Sequence, residues 1–401
     1  MTITLNMFYT TALAVIVLFV GKAIVKKVNF LQKFSIPTPV VGGLLFTIIT
    51  LIGRQTGAFH IELDLALSDF FMLVFYGSIG FTSSISTLKK GGKKIIVFLV
   101  LASVLVVLQN GIGIIGANAI GQDPSVGIGT ASIPMTGGHG TSAAFSPVLE
   151  KAGLSNAETI TLASATFGLV AGSLLGGPMG EFLISKAKKN KKMNSDSSNK
   201  SDDVNIFDYQ ANLKTELTAA GFSKAFMTLL LSIGIGTGIS QLLELTGFSF
   251  PASVGAMLAS FVIVNISGDK NKLEIPQAEI KIIGDVFLSV FLAFSMMKLK
   301  LWELADLAAP LLILLFLQVI LMAIFSIIDF KVLGGDYEAA VTTAGHCGFG
   351  LGAVPTGIAN MQTLTEKHGD APQSFFIVPL VGSLFINLVN SLLITFFINL
   401  V

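Results

Sequence analysis

The sequence contains few charged residues. Of its 401 residues only 12% are charged and 52% are hydrophobic, and the mean hydropathy is +0.80. Soluble domains carry about 25% charged residues, so much of this surface is not solvated, which excludes an ordinary soluble domain. The formal net charge of +1 predicts neither a nucleic-acid partner nor a strongly acidic one.

Cysteine and arginine are almost absent. The single cysteine, Cys347, excludes an intramolecular disulfide and a cysteine-cluster metal site. The single arginine, Arg54, falls at the predicted outer edge of a span, so no arginine can bind a carboxylate at mid-membrane. Acidic residues are also missing from the centres of the apolar segments. An anionic cargo must then be neutralised by helix N-termini, hydroxyls, amides and co-bound cations, which favours cation-coupled symport over a proton relay.

Long apolar runs are abundant, and a bilayer-crossing helix needs about 20 such residues. The predicted spans are 7–25, 37–53, 69–87, 94–120, 157–185, 221–245, 251–267, 280–300, 306–330 and 373–399. Two further segments, 123–151 and 334–368, are rich in glycine, serine, threonine and proline. We expect each to enter the membrane and return, because irregular backbone is tolerated there only where it is buried in protein or lines a cavity.

The distribution of lysine sets the predicted orientation. With the N-terminus outside, most loop lysines lie in the cytoplasm, as the positive-inside rule requires. Lys298 and Lys300 are the exceptions. No cleavable signal peptide is expected, because the first lysine, Lys22, follows the first apolar run instead of preceding it. The prediction is a multi-pass protein of a bacterial inner membrane with both termini outside and a charged cytoplasmic linker at 186–215.

The two halves echo each other in the same order. Three correspondences carry the repeat: Ser35-Ile36-Pro37 with Ser249-Phe250-Pro251, Gln109 with Gln318, and Gly138-His139-Gly140 with Gly345-His346-Cys347-Gly348. Five spans in each half make the second half enter from the opposite side, as in many secondary transporters. The predicted fold is all-α, with about ten transmembrane helices as two inverted repeats, 1–185 and 216–401, each holding one re-entrant hairpin.

The re-entrant segments carry the candidate substrate and ion sites. Glycines at their tips permit close approach of a ligand to the backbone, and the nearby hydroxyls suit a small cation. The candidates are Thr136, Gly137, Gly138, His139, Gly140, Thr141 and Ser142 in the first segment and Gly345, His346, Cys347, Gly348, Gly350, Thr356 and Asn360 in the second. The alternative is that these glycines merely let helices pack closely.

Histidines and asparagines add further candidates. His139 and His346 either carry protons or brace the hairpins through backbone carbonyls, and bracing is favoured because no acid stands beside either in the sequence. A metal site from His346 and Cys347 is not expected, since adjacent side chains point apart. Asn387 and Asn390, three residues apart on one helical face, are candidate contacts with cation or substrate.

Several motifs resemble the bacterial glutamate:sodium symporter family. They are IPTPVVGG (36–43), GGHGT (137–141), TFGLVAG (166–172), GGP (176–178), KLWEL (300–304) and AGHCGFGLGAVPTGIANMQ (344–362). The resemblance covers nearly the whole chain. It implies import of L-glutamate with Na⁺ as coupling ion and no other cofactor. It also implies inverted repeats and a homodimer that moves its substrate domain like an elevator. The candidate sodium ligands, Thr141, Ser142, Thr356 and Asn360, are a separate hypothesis based on their hydroxyl and amide oxygens.

Other functions remain open at this stage. The cargo could be another small carboxylate or amino acid, and protons could replace sodium. A passive channel also uses glycine-rich re-entrant loops. An intramembrane enzyme would need a nucleophile–base set or metal ligands, and the sequence offers only scattered serines with His139 and His346 inside the membrane, so no enzymatic activity is expected.

Overall fold

A computed structural model describes residues 2–34, 36–85, 92–189, 217–245, 251–268, 272–299 and 308–401. Several sequence predictions lie outside these residues: most of the linker 186–215, the KLWEL segment at 300–304, and Ser35, Ser249 and Phe250 of the proposed repeat.

The described chain is helical apart from two short strands. The helices are α1 Met7–Lys27, α2 Asn29–Lys33, α3 Thr38–Gln55, α4 Ser68–Thr82, α5 Gly92–Ala119, α6 Pro124–Gly129, α7 Gly138–Lys151, α8 Ala157–Lys189, α9 Ala219–Glu244, α10 Ala252–Ser267, α11 Gln277–Met297, α12 Ala308–Val332, α13 Tyr337–Leu351, α14 Val354–His368, α15 Pro372–Leu380 and α16 Ile386–Ile398. A π-helical turn, Val381–Phe385, joins α15 to α16.

Eight of these helices are long and apolar enough to cross a membrane: α1, α3, α5, α8, α9, α11, α12 and the composite Pro372–Ile398. They coincide with eight of the ten predicted spans. The other two predicted spans, 69–87 and 251–267, contain α4 and α10, which have only 15 and 16 residues. The chain is a multi-pass membrane protein.

The outer faces of the spanning helices are apolar. Phe8 on α1 is 67% exposed, Leu231 on α9 is 62% exposed and Ile324 on α12 is 58% exposed. A soluble protein rarely exposes so much contiguous apolar surface, and these faces suit lipid.

Local sequence signals set several helix starts. The side chain of Asn6 accepts hydrogen bonds from the N–H groups of Phe8 and Tyr9, both at 3.0 Å, and so caps α1. Asp336 caps α13 by accepting from Ala339 N–H at 2.8 Å. These side chains satisfy N–H groups that have no partner within the helix.

The helices pack as two bundles. The frame bundle contains α1, α3, α4, α9, α10 and α11, in which α10 packs on α9 and on α4, and α11 packs on α3 and on α4. The core bundle contains α5 to α8 and α12 to α16, in which α13 packs on α8, α12 and α14. The main contacts between the bundles are α7 against α11, α4 against α16 and the π-helical turn, and α10 against α16.

A stripe of glycines on α8 brings it close to α13 and α14. Gly168, Gly172, Gly176 and Gly180 recur every fourth residue, and so share one helical face. A Cβ at Gly168 would collide with the carbonyl oxygen of Leu351 in α13. Small residues of this kind let membrane helices pack backbone to backbone.

Two four-residue strands pair outside the helices, which the sequence analysis did not predict. Strand β1, Thr2–Leu5, pairs in parallel with β2, His60–Leu63. The pairing ties the start of the chain to the loop between α3 and α4.

Candidate functional site

The first re-entrant segment is a broken helix. Helix α6 ends at Gly129, residues 130–137 are irregular and buried, and α7 begins at Gly138. Gly138 has a φ of +63°, a left-handed conformation that favours glycine. The predicted tip, Thr136 to Ser142, is therefore wrong in part, because His139 to Ser142 already belong to the first turn of α7.

The second helix break lies farther from its predicted position than the first does. Gly345 to Gly350 lie inside α13, and the break falls at Gly352 and Ala353, before α14. The reason is packing: a Cβ at Gly348 would collide with the Gly357 backbone of α14. The glycines placed at the predicted tip instead let α13 and α14 approach closely, which is the alternative interpretation of these residues.

The two breaks lie against each other inside the core bundle. A Cβ at Gly138 would lie 3.0 Å from the carbonyl oxygen of Gly352. Gln109 of α5 links them, since its Nε2 donates to Gly350 O at 2.7 Å and its Oε1 accepts from Thr136 Oγ1 at 2.7 Å. Gln318 Nε2 of α12 donates to Gln109 O at 3.0 Å. The two glutamines matched in the proposed repeat thus meet beside the breaks.

Asparagines hold the first break from two sides. Asn110 Nδ2 of α5 donates to Ser132 Oγ at 2.8 Å, and Asn390 Nδ2 of α16 donates to Ser132 O at 3.2 Å. Asn387 does not share this contact: it is half-buried and donates to Ser383 O one turn before it, and its predicted contact with cation or substrate stays a prediction. Ser132 carried no sequence signal beyond its glycine- and serine-rich surroundings.

Asn360 of α14 reaches across to the glycine stripe. Its Nδ2 donates to Gly172 O at 3.0 Å and to Ala344 O at 3.4 Å. Ser142 Oγ on α7 donates to Thr161 O of α8 at 3.2 Å. Both candidate sodium ligands therefore also join neighbouring helices.

Several buried oxygens near the breaks have no hydrogen-bond partner. They are Thr356 Oγ1 at the start of α14, Asn390 Oδ1 and Gln318 Oε1. Buried polar atoms are nearly always satisfied, so an unpartnered group indicates a place for water or an ion. Neutral oxygens of this type are ligands that a hard cation prefers.

Helices α7 and α14 begin at the two breaks without a side-chain cap. Neither Gly137 nor Ala353, which precede the two helices, caps its helix with a side chain. The helix dipole makes such ends favourable for an anion.

His139 braces α7 against α8. Its Nε2 lies 3.0 Å from Thr166 Oγ1, and that hydroxyl donates to Leu162 O at 3.0 Å. Because the hydroxyl has one hydrogen, Nε2 of His139 is the donor in this pair. The brace is to a side-chain hydroxyl, whereas a backbone carbonyl was predicted.

His346 does not brace a backbone carbonyl, which corrects its prediction. Its Nδ1 lies 2.6 Å from Oδ2 of Asp329 on α12, and both side chains are fully buried. Asp329 is 17 residues away in the sequence, so a search for adjacent acids misses it. Cys347 faces Ser326 Oγ at 3.1 Å, and no group of three metal-ligating side chains occurs among the residues described.

Comparison with known families decides the assignment. The family model described as sodium/glutamate symporter matches residues 3–370. The chain belongs to the sodium/glutamate symporter family. This confirms the resemblance seen in the motifs, and the family is one of transporters.

Relatives of this family member match over nearly their whole length. A sodium/glutamate symporter of Escherichia coli is 37% identical over 99% of this chain and 98% of its own. One of Haemophilus influenzae is 39% identical over 98% and 97%. Among solved structures, a sodium proton antiporter, MjNhaP1 of Methanocaldococcus jannaschii at pH 8, covers 96% of this chain and 95% of its own, with 14% identity and a TM-score of 0.43. That similarity is too weak to decide the fold.

Proposed function

We propose that this chain imports L-glutamate together with sodium ions across a bacterial inner membrane. The observation that carries the proposal is the meeting of two broken helices at Gly138 and Gly352 within one bundle. Helix breaks at membrane depth are the usual substrate and ion sites of secondary transporters. Relatives 37% and 39% identical are named sodium/glutamate symporters, which supports this cargo.

The chemistry of the breaks suits an anionic substrate carried with a cation. The uncapped starts of α7 and α14 favour a carboxylate, and the unpartnered oxygens Thr356 Oγ1 and Asn390 Oδ1 favour sodium. Since the single arginine, Arg54, lies at the C-terminal end of α3, the co-bound cation supplies the positive charge that is missing from the two breaks. We propose Thr141, Ser142, Thr356 and Asn360 as further contacts for sodium.

The architecture proposed for this function is a pair of inverted repeats, 1–185 and 216–401, joined by the linker 186–215. Helix packing supports it, because several contacts in one half have a counterpart in the other. Thus α1 packs on α3 as α9 packs on α10, and α5 packs on α6 as α12 packs on α13. In the same way, α3 packs on α11 as α10 packs on α4. Both termini then lie outside the cytoplasm.

The proposed transport step is an elevator-like movement of the core bundle past the frame bundle. Both broken helices belong to the core bundle, and few contacts join it to the frame. The core bundle could therefore move past the frame bundle and carry both broken helices with it. The frame bundle would then supply the interface of a homodimer.

Uptake of radiolabelled L-glutamate into proteoliposomes tests the proposal. We expect accumulation above equilibrium with an inward sodium gradient and none without it, and no loss with a proton ionophore. Accumulation that requires a proton gradient would contradict sodium coupling. Uptake that never exceeds equilibrium would indicate a channel. Counterflow against unlabelled carboxylates and amino acids identifies the cargo if glutamate is not transported.

A further inference from the structure

An ion pair crosses the boundary between the two bundles. Lys298 Nζ, just after the end of α11 in the frame bundle, lies 2.6 Å from Glu158 Oε2 in the first turn of α8 in the core bundle. The Glu158 side chain is only 10% exposed and that of Lys298 is 35% exposed. Ser295, also on α11, is buried beside Glu158.

The position of the pair relates it to the broken helices. Thr166 of α8 contacts His139, the residue after the first break. Glu158 lies eight residues earlier on the same helix, or about 12 Å along its axis at 1.5 Å per residue. The pair therefore lies between the breaks and the end of the bundle that the lysine distribution places outside.

We propose that the Glu158–Lys298 pair is an outer gate, which closes the boundary between core and frame on the outer side and must separate when the site opens outwards. The inference rests on the proposed elevator movement. It also accounts for one exception to the positive-inside rule, because Lys298 is neutralised by Glu158 on the outer side.

The different exposure of the two side chains determines how the gate opens. Lys298 is already partly solvated and can turn into water, whereas Glu158 becomes a buried charge without a partner when Lys298 leaves. Removing one member of a buried pair is costly because the other charge stays uncompensated. Loss of either side chain should therefore shift the protein towards the outward-open state.

An introduced cysteine reports the opening. In Ser295→Cys, the new thiol lies at a position that is 1% exposed in the closed boundary, and the native Cys347 is fully buried. We would apply a membrane-impermeant maleimide to whole cells and, separately, to inside-out vesicles. Wild-type protein gives the background labelling.

The expected result is faster labelling of the thiol at position 295 from the outer face when Ser295→Cys is combined with Glu158→Gln or with Lys298→Met, by about fivefold or more. The charge swap Glu158→Lys with Lys298→Glu should label slowly again, since the pair is restored. Glu274→Gln is the matched control, because Glu274 pairs with Lys224 at 3.1 Å on the surface of the frame bundle alone.

Three results would overturn the gate. The labelling rate could be unchanged in both single charge variants, it could rise from the inner face instead of the outer, or the charge-swap variant could label as fast as the single variants. A second measurement covers variants that fold poorly. A short bis-methanethiosulfonate reagent forms a disulfide with each thiol of Glu158→Cys and Lys298→Cys and releases methanesulfinate. Joining the two positions in this way should stop uptake, and reduction of the disulfides should restore it. Undiminished uptake in the joined protein also overturns the gate. The labelling needs neither glutamate nor sodium, so its failure is distinct from failure of glutamate uptake in the wild type.

Discussion

His346 and Asp329 form a fully buried pair, with 2.6 Å between Nδ1 and Oδ2. The rings of Phe98, Phe325 and Phe349 surround the imidazole, with centroids 5.0, 6.2 and 4.7 Å away. In such apolar surroundings a polar side chain is costly unless it is paired. The pair joins α13, the first arm of the second broken helix, to α12.

Breaking this pair should destabilise the core bundle. We expect Asp329→Ala and His346→Ala each to lower the free energy of unfolding by about 3 kcal/mol, because each leaves a buried polar partner unsatisfied. Thermal or denaturant unfolding in detergent measures the effect. The double variant should lose clearly less than the sum of the two losses. Additive losses would show that the two side chains act independently.

Glycines of α8 should differ sharply in their tolerance of a methyl group. Gly168→Ala should lower the free energy of unfolding by about 2 kcal/mol, since its Cβ meets the Leu351 carbonyl. Gly177→Ala is the control on the same helix, because nothing lies within 4 Å of its Cβ. Melting temperature and initial uptake rate should both fall for Gly168→Ala only. Equal effects at both positions would contradict the close approach of α8 and α13.

The hydroxyl of Thr356 should affect sodium dependence. Thr356→Val keeps the shape but removes the unpartnered oxygen. It should raise the sodium concentration for half-maximal uptake about tenfold, because losing one contact with the energy of a hydrogen bond, about 1.4 kcal/mol, weakens binding by that factor. Thr356→Ser should stay near the wild type. An unchanged sodium requirement in the valine variant would remove Thr356 from the sodium site.

Two asparagines on α16 make a matched comparison. Asn390→Ala should reduce uptake at least about fivefold, because Asn390 holds Ser132 in the first break and one hydrogen bond at a buried site is worth about 1 kcal/mol. Asn387→Ala should change uptake less than about twofold, since Asn387 bonds only within its own helix. Initial rates at saturating sodium, normalised to protein in the membrane, test both. The reverse order would contradict the placement of α16 against the break.

Apolar length and glycine content allowed most of the helices to be predicted. Spans such as 94–120 and 306–330 coincide with α5 and α12, because about 20 apolar residues leave few alternatives to a membrane helix. The observed helix interruptions, at residues 130–137 and at Gly352 and Ala353, fall within the predicted segments 123–151 and 334–368. The second interruption lies away from its predicted tip, because Gly345 and Gly348 look in sequence like turn residues and serve in the structure as packing surfaces.

Contacts between distant residues escaped the sequence analysis for a physical reason. Asp329 with His346, and Glu158 with Lys298, join different helices, and no periodicity in a single chain marks such partners. The half-buried position of Asn387 could not be predicted from the sequence either, because two asparagines on one helical face need not be buried to the same extent. That these groups bind glutamate or sodium remains a prediction.

The composition of the two bundles has a consequence for biosynthesis. Each bundle takes helices from both halves of the chain, so α8 emerges from the ribosome long before α13 exists. Until then its glycine face, from Gly168 to Gly180, can meet only lipid or insertion machinery. Neither half can complete its fold during synthesis, and a ribosome stalled after residue 185 would leave a membrane-inserted chain without a finished core. Halves expressed as separate polypeptides should therefore accumulate only when both are made together.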